Sequence, residues 1–195
     1  MAEKLVVISD MWGAKKGAWA TAYLVYLQQY FNLTYYDCQQ LANIDAGIYC
    51  SDKDLKDAFV NGGIQTAIDQ LMQKEKEPCH YLAFGLGGDV VWKASLQGLP
   101  MKSLYAVSTY GLYYGSQGTD IPITLVYGSL DANLPSKGKM GQLQMDIETI
   151  LDFGHDLYAK DEIIKKIAKD LLSLVTHKMV SETKVVQFKK PLLVS

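Results

Sequence analysis

The chain has 195 residues, of which 49% are hydrophobic and 21% charged, the balance of an ordinary globular protein. This length predicts one domain spanning residues 1–195. The formal net charge is -2 and every basic residue other than histidine is a lysine. This composition argues against a nucleic-acid partner, which normally meets a basic face, and it excludes an arginine clamp on phosphate or carboxylate.

Cysteine and histidine positions bear on compartment and on metal binding. The cysteines are Cys38, Cys50 and Cys79, and the histidines are His80, His155 and His177. The cysteines are odd in number and lack CxxC spacing, which favours reduced thiols in a cytoplasmic protein. No histidine pair has zinc-ligand spacing. No apolar run approaches the ~18 residues of a membrane span. We therefore expect no metal, no cofactor and no membrane partner.

Six short apolar runs predict β-strands, most of them buried on both faces. In chain order they cover residues 5–9, 33–36, 79–84, 103–107, 122–127 and 147–151. Segments with helical apolar spacing alternate with them, at residues 17–31, 61–72, 89–96 and 161–175. The alternation predicts an α/β fold, with a mostly parallel sheet and helices on both of its faces. The tail, residues 177–195, could add an edge strand or form a contact in a homodimer.

Three loops follow predicted strands at the sheet edge where α/β proteins bind ligands. The third strand leads into Gly85-Leu86-Gly87-Gly88, the fifth into a loop containing Asp131, and the sixth into Gly154-His155. Taken singly, each has an ordinary interpretation. The glycine turn could hold an anion at a helix start, although it lacks the G-x-G-x-x-G and Walker patterns. Asp131 could be a turn residue, and His155 a solvated loop side chain.

Taken together and in this order, the loops resemble those of the α/β-hydrolase superfamily. That family carries its nucleophile on a G-x-S-x-G elbow between strand and helix, its acid after a later strand and its histidine after the last one. The resemblance covers nearly the whole chain. It implies a three-layer sandwich with strand order 2-1-3-4-5-6 and an esterase or acyl-hydrolase ancestry. It also implies that Asp131 is the acid, His155 the base, and the backbone N–H groups of Leu86 and Trp12 the oxyanion donors.

The chain departs from the family pattern at the elbow. Gly85 stands where the nucleophile is expected, and Asp10-Met11 replaces the His-Gly of the oxyanion loop. Too few residues separate the elbow helix from the acid strand for a cap domain, so we expect an open site. Glycine has no side chain to acylate, which removes the covalent intermediate. It also tolerates the positive φ of an elbow turn, where another residue would be strained.

We therefore expect a catalytically impaired member of this superfamily that binds a small-molecule ligand or has an interaction role. The alternative is an active esterase or acyl hydrolase. It would use a relocated hydroxyl, for which Ser108 after the fourth strand is the candidate, or a water activated by His155. Several tyrosines could line an aromatic pocket or simply pack in the core; they are Tyr105, Tyr110, Tyr113 and Tyr114.

Overall fold

The computed structural model describes residues 2–47, 49–111, 121–140 and 145–182, with backbone alone for 174–182. Within these residues six strands form one sheet, in the order β2-β1-β3-β4-β5-β6. The strands are β1 (Lys4–Ile8), β2 (Asn32–Tyr36), β3 (Cys79–Phe84), β4 (Met101–Val107), β5 (Ile123–Gly128) and β6 (Asp146–Ile150). Every neighbouring pair is parallel. The carboxyl ends of all six strands therefore meet at one edge of the sheet, as the sequence predicts.

Helices cover both faces of the sheet. They are α1 (Ala18–Leu27), α2 (Cys38–Leu41), α3 (Asp52–Ala58), α4 (Ile64–Lys74), α5 (Leu86–Leu96), α6 (Lys137–Met140) and α7 (Asp161–Glu182). Helices α1 and α7 pack on one face, and α2, α4 and α5 pack on the other. The result is the three-layer α/β sandwich that the sequence predicts, and the described residues include no cap domain.

Strand side chains divide the core into two layers because successive residues point to opposite faces. Leu82 and Phe84 pack with α1 and α7, whereas Tyr81 and Ala83 pack with α4 and α5. All four are fully buried, and each large side chain of this kind contributes ~1.5–3 kcal/mol to folding. Burial on both faces explains why the central strands appear in the sequence as unbroken apolar runs rather than alternating ones.

The helices differ from the sequence prediction mainly at their starts. Helix α5 begins at Leu86 rather than at residue 89, because the glycine turn leads straight into it. The helical segment expected at 61–72 is preceded by α3, where the Ser51 hydroxyl accepts a hydrogen bond from the Asp54 N–H. A π-turn at Phe59–Gly63 joins α3 to α4, with Gly62 at a φ of 133°. Helix α3 and the π-turn contain too few regularly spaced apolar residues to be predicted from apolar periodicity.

The end of the chain extends the last helix. Helix α7 continues to Glu182, so residues 177–182 are helical, and residues 183–195 of the predicted tail lie outside the described residues. None of the helices in the described part of the chain combines the length and apolar character needed to cross a membrane.

Candidate functional site

The turn after β3 carries the position expected for a nucleophile. Gly85 has φ 50° and ψ −125°, a left-handed conformation that costs a residue with a Cβ on the order of 1–3 kcal/mol. The Gly85 N–H donates to the Val107 carbonyl at 2.9 Å, which ties the turn to β4. A Cβ on Gly87 would lie 2.3 Å from the Ser9 carbonyl oxygen, so only glycine lets α5 approach β1 this closely. The glycine-rich sequence is therefore a steric requirement of the turn.

Asp131 and His155, which the sequence places after different strands, are hydrogen-bonded to each other. His155 Nδ1 lies 3.0 Å from Asp131 Oδ2, and the Asp131 side chain is fully buried. The other carboxylate oxygen accepts from the backbone N–H of Asn133 at 2.9 Å and from its side-chain amide at 3.1 Å. Asn133 was not among the residues expected at the site. The spacing Asp-x-Asn signals only an Asx turn in the sequence.

These bonds determine the tautomer of the imidazole. A carboxylate only accepts hydrogen bonds, so Nδ1 carries a proton and donates a hydrogen bond to Asp131. The Asn133 amide nitrogen is 3.3 Å from Nδ1, but both are donors and both are directed at the carboxylate. Burial raises the pKa of Asp131, and the hydrogen bonds from His155 and Asn133 outweigh it, so this pKa lies below its ordinary value. In neutral His155, Nε2 is therefore a hydrogen-bond acceptor.

Nε2 of His155 faces the position where Gly85 has no side chain. A Cβ built on Gly85 would lie 4.0 Å from Nε2, which would bring a hydroxyl on that carbon within hydrogen-bonding reach. Among the described residues, Nε2 has no hydrogen-bond partner. The structure thus brings together three of the predicted site positions, Gly85, Asp131 and His155, and leaves a gap where an attacking oxygen is expected.

Asp10, which follows β1, also lies beside this gap. It is 8% exposed, and its Cβ would lie 3.2 Å from a Cβ on Gly85. One carboxyl oxygen accepts from the N–H groups of Trp12 and Gly13, both at 3.1 Å. The other accepts from the Tyr158 hydroxyl at 3.0 Å. Burial raises the pKa of Asp10 above its ordinary value, although these hydrogen bonds and attraction to His155 oppose the rise.

The two backbone groups expected as oxyanion donors differ in availability. Leu86 is the first residue of α5, so its N–H has no acceptor within the helix. The Trp12 N–H instead donates to the Asp10 carboxyl. An acid group of this same loop therefore accepts the hydrogen bond of one of the two N–H groups expected from the resemblance to be oxyanion donors.

Ser108 lies beside the elbow, but it is not hydrogen-bonded to His155. It follows β4, is completely buried and has a φ of 51°. Its N–H donates to the Val126 carbonyl at 2.8 Å, and its hydroxyl has no hydrogen-bond partner among the described residues. Ser108 is also not one of the described residues that line the cavity above Gly85.

The gap opens into a cavity of about 320 Å³ with aromatic walls. The lining residues are Asp10, Met11, Trp12, Lys16, Trp19, Asp52, Gly85, Tyr110, His155, Asp156, Tyr158 and Ala159. Of the tyrosines singled out in the sequence, Tyr110 lines the cavity with its ring 5.1 Å from that of His155. Tyr105 packs in the core and donates its hydroxyl to Asp170. Tyr113 and Tyr114 lie outside the described residues.

Other cavities in the described part of the chain lie away from this position. A larger cavity, about 410 Å³, lies beside β2 and α4, lined by Tyr36, Gln40 and Lys74 among others, and it contains none of the expected site residues. The described residues include no group of three or more histidine, cysteine or acidic side chains placed to hold a metal ion.

Solved structures assigned as α/β hydrolases have the same architecture. A protein of Xanthomonas campestris pv. campestris assigned to the α/β hydrolase superfamily is 16% identical, with 90% of this chain and 99% of that one covered at a TM-score of 0.62. Est1E of Butyrivibrio proteoclasticus, solved with ferulic acid bound, is 13% identical, with coverages of 92% and 90% and a TM-score of 0.60. A Klebsiella pneumoniae protein assigned as a dienelactone hydrolase is 13% identical, with 88% of this chain and 85% of that one covered at a TM-score of 0.66.

The chain therefore has the α/β-hydrolase fold, which confirms the resemblance drawn from its sequence. Comparison with protein-family models and with curated protein sequences finds no match. At these identities the similarity establishes the fold, and the chemistry has to be argued from the residues of the site.

Proposed function

We propose that this protein binds a small molecule in the cavity above Gly85 and that it does not carry out covalent acyl transfer. The observation that carries the proposal is the arrangement at the gap. His155 Nε2 is directed at a position where Gly85 offers no nucleophile, and the Trp12 N–H is held by the Asp10 carboxyl.

The Asp10 carboxyl weakens the case for an oxyanion mechanism. An acyl-transfer transition state places negative charge on the substrate oxygen, and losing one donor to that oxygen costs about 10²–10³ in rate. Here the donor is engaged, and the group that engages it carries negative charge whenever it is ionised. Both effects disfavour the chemistry that the fold usually performs.

The retained hydrogen bonds support a role in recognition. The pair formed by Asp131 and His155 fixes the imidazole with Nε2 as an acceptor. A ligand that donates a hydrogen bond to Nε2 would be oriented in the cavity, while the aromatic walls would bury its apolar part. A few directed polar groups in an apolar cavity are typical of small-molecule sites.

Labelling with a fluorophosphonate probe tests the proposal, together with an assay of short p-nitrophenyl esters. We expect neither labelling nor hydrolysis above that of the His155→Ala variant. Covalent labelling that is lost in His155→Ala would contradict the proposal and reveal a nucleophile elsewhere in the chain.

One observation favours a second candidate, direct hydrolysis by water. His155 Nε2 could accept a proton from a water in the gap, with Asp131 holding the imidazole as in a catalytic triad. This candidate predicts ester hydrolysis without probe labelling. That hydrolysis would be lost in both His155→Ala and Asp131→Asn, which distinguishes it from binding alone.

A further inference from the structure

Asp10 is a buried acid without a lysine partner in the described part of the chain. Its three hydrogen bonds come from two backbone N–H groups and a tyrosine hydroxyl. The cavity's other carboxylates are paired: Asp52 lies 3.7 Å from Lys16, and Asp156 lies 3.2 Å from Lys160. Removing a carboxylate from water is costly unless a positive charge compensates it. Among the described residues, Asp10 is therefore the cavity acid that no lysine compensates, and it lies beside the gap.

The gap presents two acceptors to an incoming group. His155 Nε2 has no donor among the described residues, and Asp10 lines the same cavity, with its Cβ 3.2 Å from a Cβ built on Gly85. A hydroxyl has one proton to offer, whereas an alkylammonium group has three N–H donors and a positive charge. Its size is close to that of the missing hydroxymethyl side chain.

The walls of the cavity are suited to the same chemistry. Trp12, Trp19, Tyr110 and Tyr158 line it, and aromatic faces attract ammonium groups. Two of these rings already hold ammonium groups of the chain. The Lys16 Nζ is 3.3 Å from the centre of the Trp12 ring, and the Lys56 Nζ is 4.2 Å from that of Tyr110.

Three positive groups oppose a cation: the ammonium groups of Lys16, which Asp52 pairs, and of Lys56, and the amino end of α5. The amino end of α5 carries a partial positive charge, and Leu86 stands there. The Asp10 carboxylate and Asp131, hydrogen-bonded behind His155, place two acids around the gap against this partial charge. The balance at the position above Gly85 favours a positively charged donor.

We propose that the ligand is a small aromatic amine in its ammonium form, with the ammonium group above Gly85 between Asp10 and His155. This inference rests on the proposed binding function and specifies its ligand class. The aromatic part of the ligand lies in the cavity, against Trp12 and Tyr110.

Benzylamine and benzyl alcohol form a matched pair of probes, because they share the ring and differ in the charged donor. Dissociation constants would be measured by isothermal titration at pH 7 for the natural protein and two variants. Asp10→Asn keeps a side chain of the same shape, and Asp146→Asn removes an exposed charge from β6, outside the cavity. We expect benzylamine to bind at least tenfold more tightly than the alcohol to the natural protein and to Asp146→Asn. We expect Asp10→Asn to abolish this preference.

Benzyltrimethylammonium tests the geometry without any substitution, because it keeps the charge and lacks N–H donors. We expect it to bind more weakly than benzylamine. Equal affinity for benzylamine and benzyl alcohol, no binding of benzylamine, or an unchanged preference in Asp10→Asn would each overturn the inference. Benzyl alcohol binding with no amine preference and no fluorophosphonate labelling would leave the proposed function standing. Labelling would instead overturn that function.

Discussion

The two sides of the site have kept different amounts of the α/β-hydrolase pattern. After β5 and β6, Asp131 and His155 form the expected hydrogen bond at 3.0 Å, supported by Asn133. After β1 and β3, Gly85 stands where the resemblance places the nucleophile, and the acid Asp10 lies in the loop where the resemblance places the oxyanion donor. One side holds a proton-accepting imidazole in place, whereas the other lacks the group whose proton it would accept.

The two departures are also neighbours. A Cβ on Gly85 would lie 3.2 Å from the Cβ of Asp10, closer than ordinary van der Waals contact. Asp10 therefore partly occupies the space that a nucleophile side chain needs, and glycine at position 85 accommodates Asp10. Residues 85 and 10 are therefore coupled, and we expect a side chain at position 85 to be accommodated best when position 10 is also changed.

The largest expected effect comes from restoring both positions together. In the double variant Gly85→Ser, Asp10→Gly, the serine hydroxyl can reach His155 Nε2 and the Trp12 N–H is released. We expect hydrolysis of short p-nitrophenyl esters at least about 10²-fold faster than in the natural protein, because a nucleophile and an oxyanion donor are regained. Initial rates and fluorophosphonate labelling measure the gain.

Two further variants serve as controls for this reactivation. Gly85→Ser alone should gain less activity, since Asp10 still crowds the hydroxyl and holds the Trp12 N–H. Adding His155→Ala to the double variant should remove the gain. A double variant no faster than Gly85→Ser would show that the contact between positions 10 and 85 does not limit the chemistry.

A stability test addresses the side of the site that is retained. A Cβ on Gly128, at the end of β5, would lie 2.1 Å from the Phe153 carbonyl oxygen, so Gly128→Ala must displace the backbone that leads to His155. We expect a loss of about 3 kcal/mol or more, which lowers the melting temperature by roughly 6–12 °C. Thermal unfolding followed by circular dichroism measures the change.

Gly138→Ala is the matched control for this test. Gly138 lies in α6, and a Cβ there meets no atom within 4 Å. Alanine should change stability little or raise it by up to about 1 kcal/mol. Equal losses in the two variants would mean that the approach of Phe153 to β5 does not constrain the loop.

The sheet could be predicted from the sequence, because its central strands are recognisable as apolar runs. Burial on both faces makes β1, β3 and β4 contiguous apolar runs, and right-handed parallel connections restrict the order in which such strands join. Short helices could not be predicted in this way. Helix α2 is only Cys38–Leu41, with the Asp37 carboxyl capping its start, and four residues cannot establish an apolar period.

The sequence predicts which loops form the site, but it does not predict the hydrogen bonds between their side chains. Asp131, His155 and Gly85 follow strands whose ends must converge, so their proximity follows from topology. The hydrogen bond between Tyr158 and Asp10 joins residues 148 positions apart and depends on how a 3₁₀ turn packs over the sheet. Asn133 was missed for a different reason: its turn is visible in the sequence, but its donation to the acid is not.

A substitution at Gly85 is expected to have a smaller effect on stability than Gly128→Ala. Gly85→Ser places a Cβ at a φ of 50° and 3.2 Å from Asp10. We expect it to lower stability by about 1–3 kcal/mol, measured by thermal unfolding. Combining it with Asp10→Gly should recover the part of the loss that comes from the contact. A Gly85→Ser variant more stable than the natural protein, and without activity, would contradict the assignment of the elbow.

The smallest expected effect is the pH dependence that Asp131 gives to stability. Its pKa is lower in the folded protein than its ordinary value of 3.8, so the folded state binds fewer protons at this group than the unfolded chain. The contribution is therefore complete well above pH 3.8 and is lost as the pH falls through the lowered folded-state pKa. The free energy of unfolding of the natural protein should exceed that of Asp131→Asn while the acid is ionised. This difference should shrink below pH 3.8.

Urea denaturation of both proteins between pH 7 and pH 3 measures this difference. Asp10 has the opposite shift, and ionising it costs stability as the pH rises, but it is present in both proteins and cancels from the comparison. Ser108→Ala removes no titrating group, so its difference from the natural protein should not change with pH. If the difference for Asp131→Asn also stayed constant down to pH 3, the hydrogen bonds from His155 and Asn133 would not be stabilising the ionised acid. The retained side of the site would then hold its imidazole by packing alone.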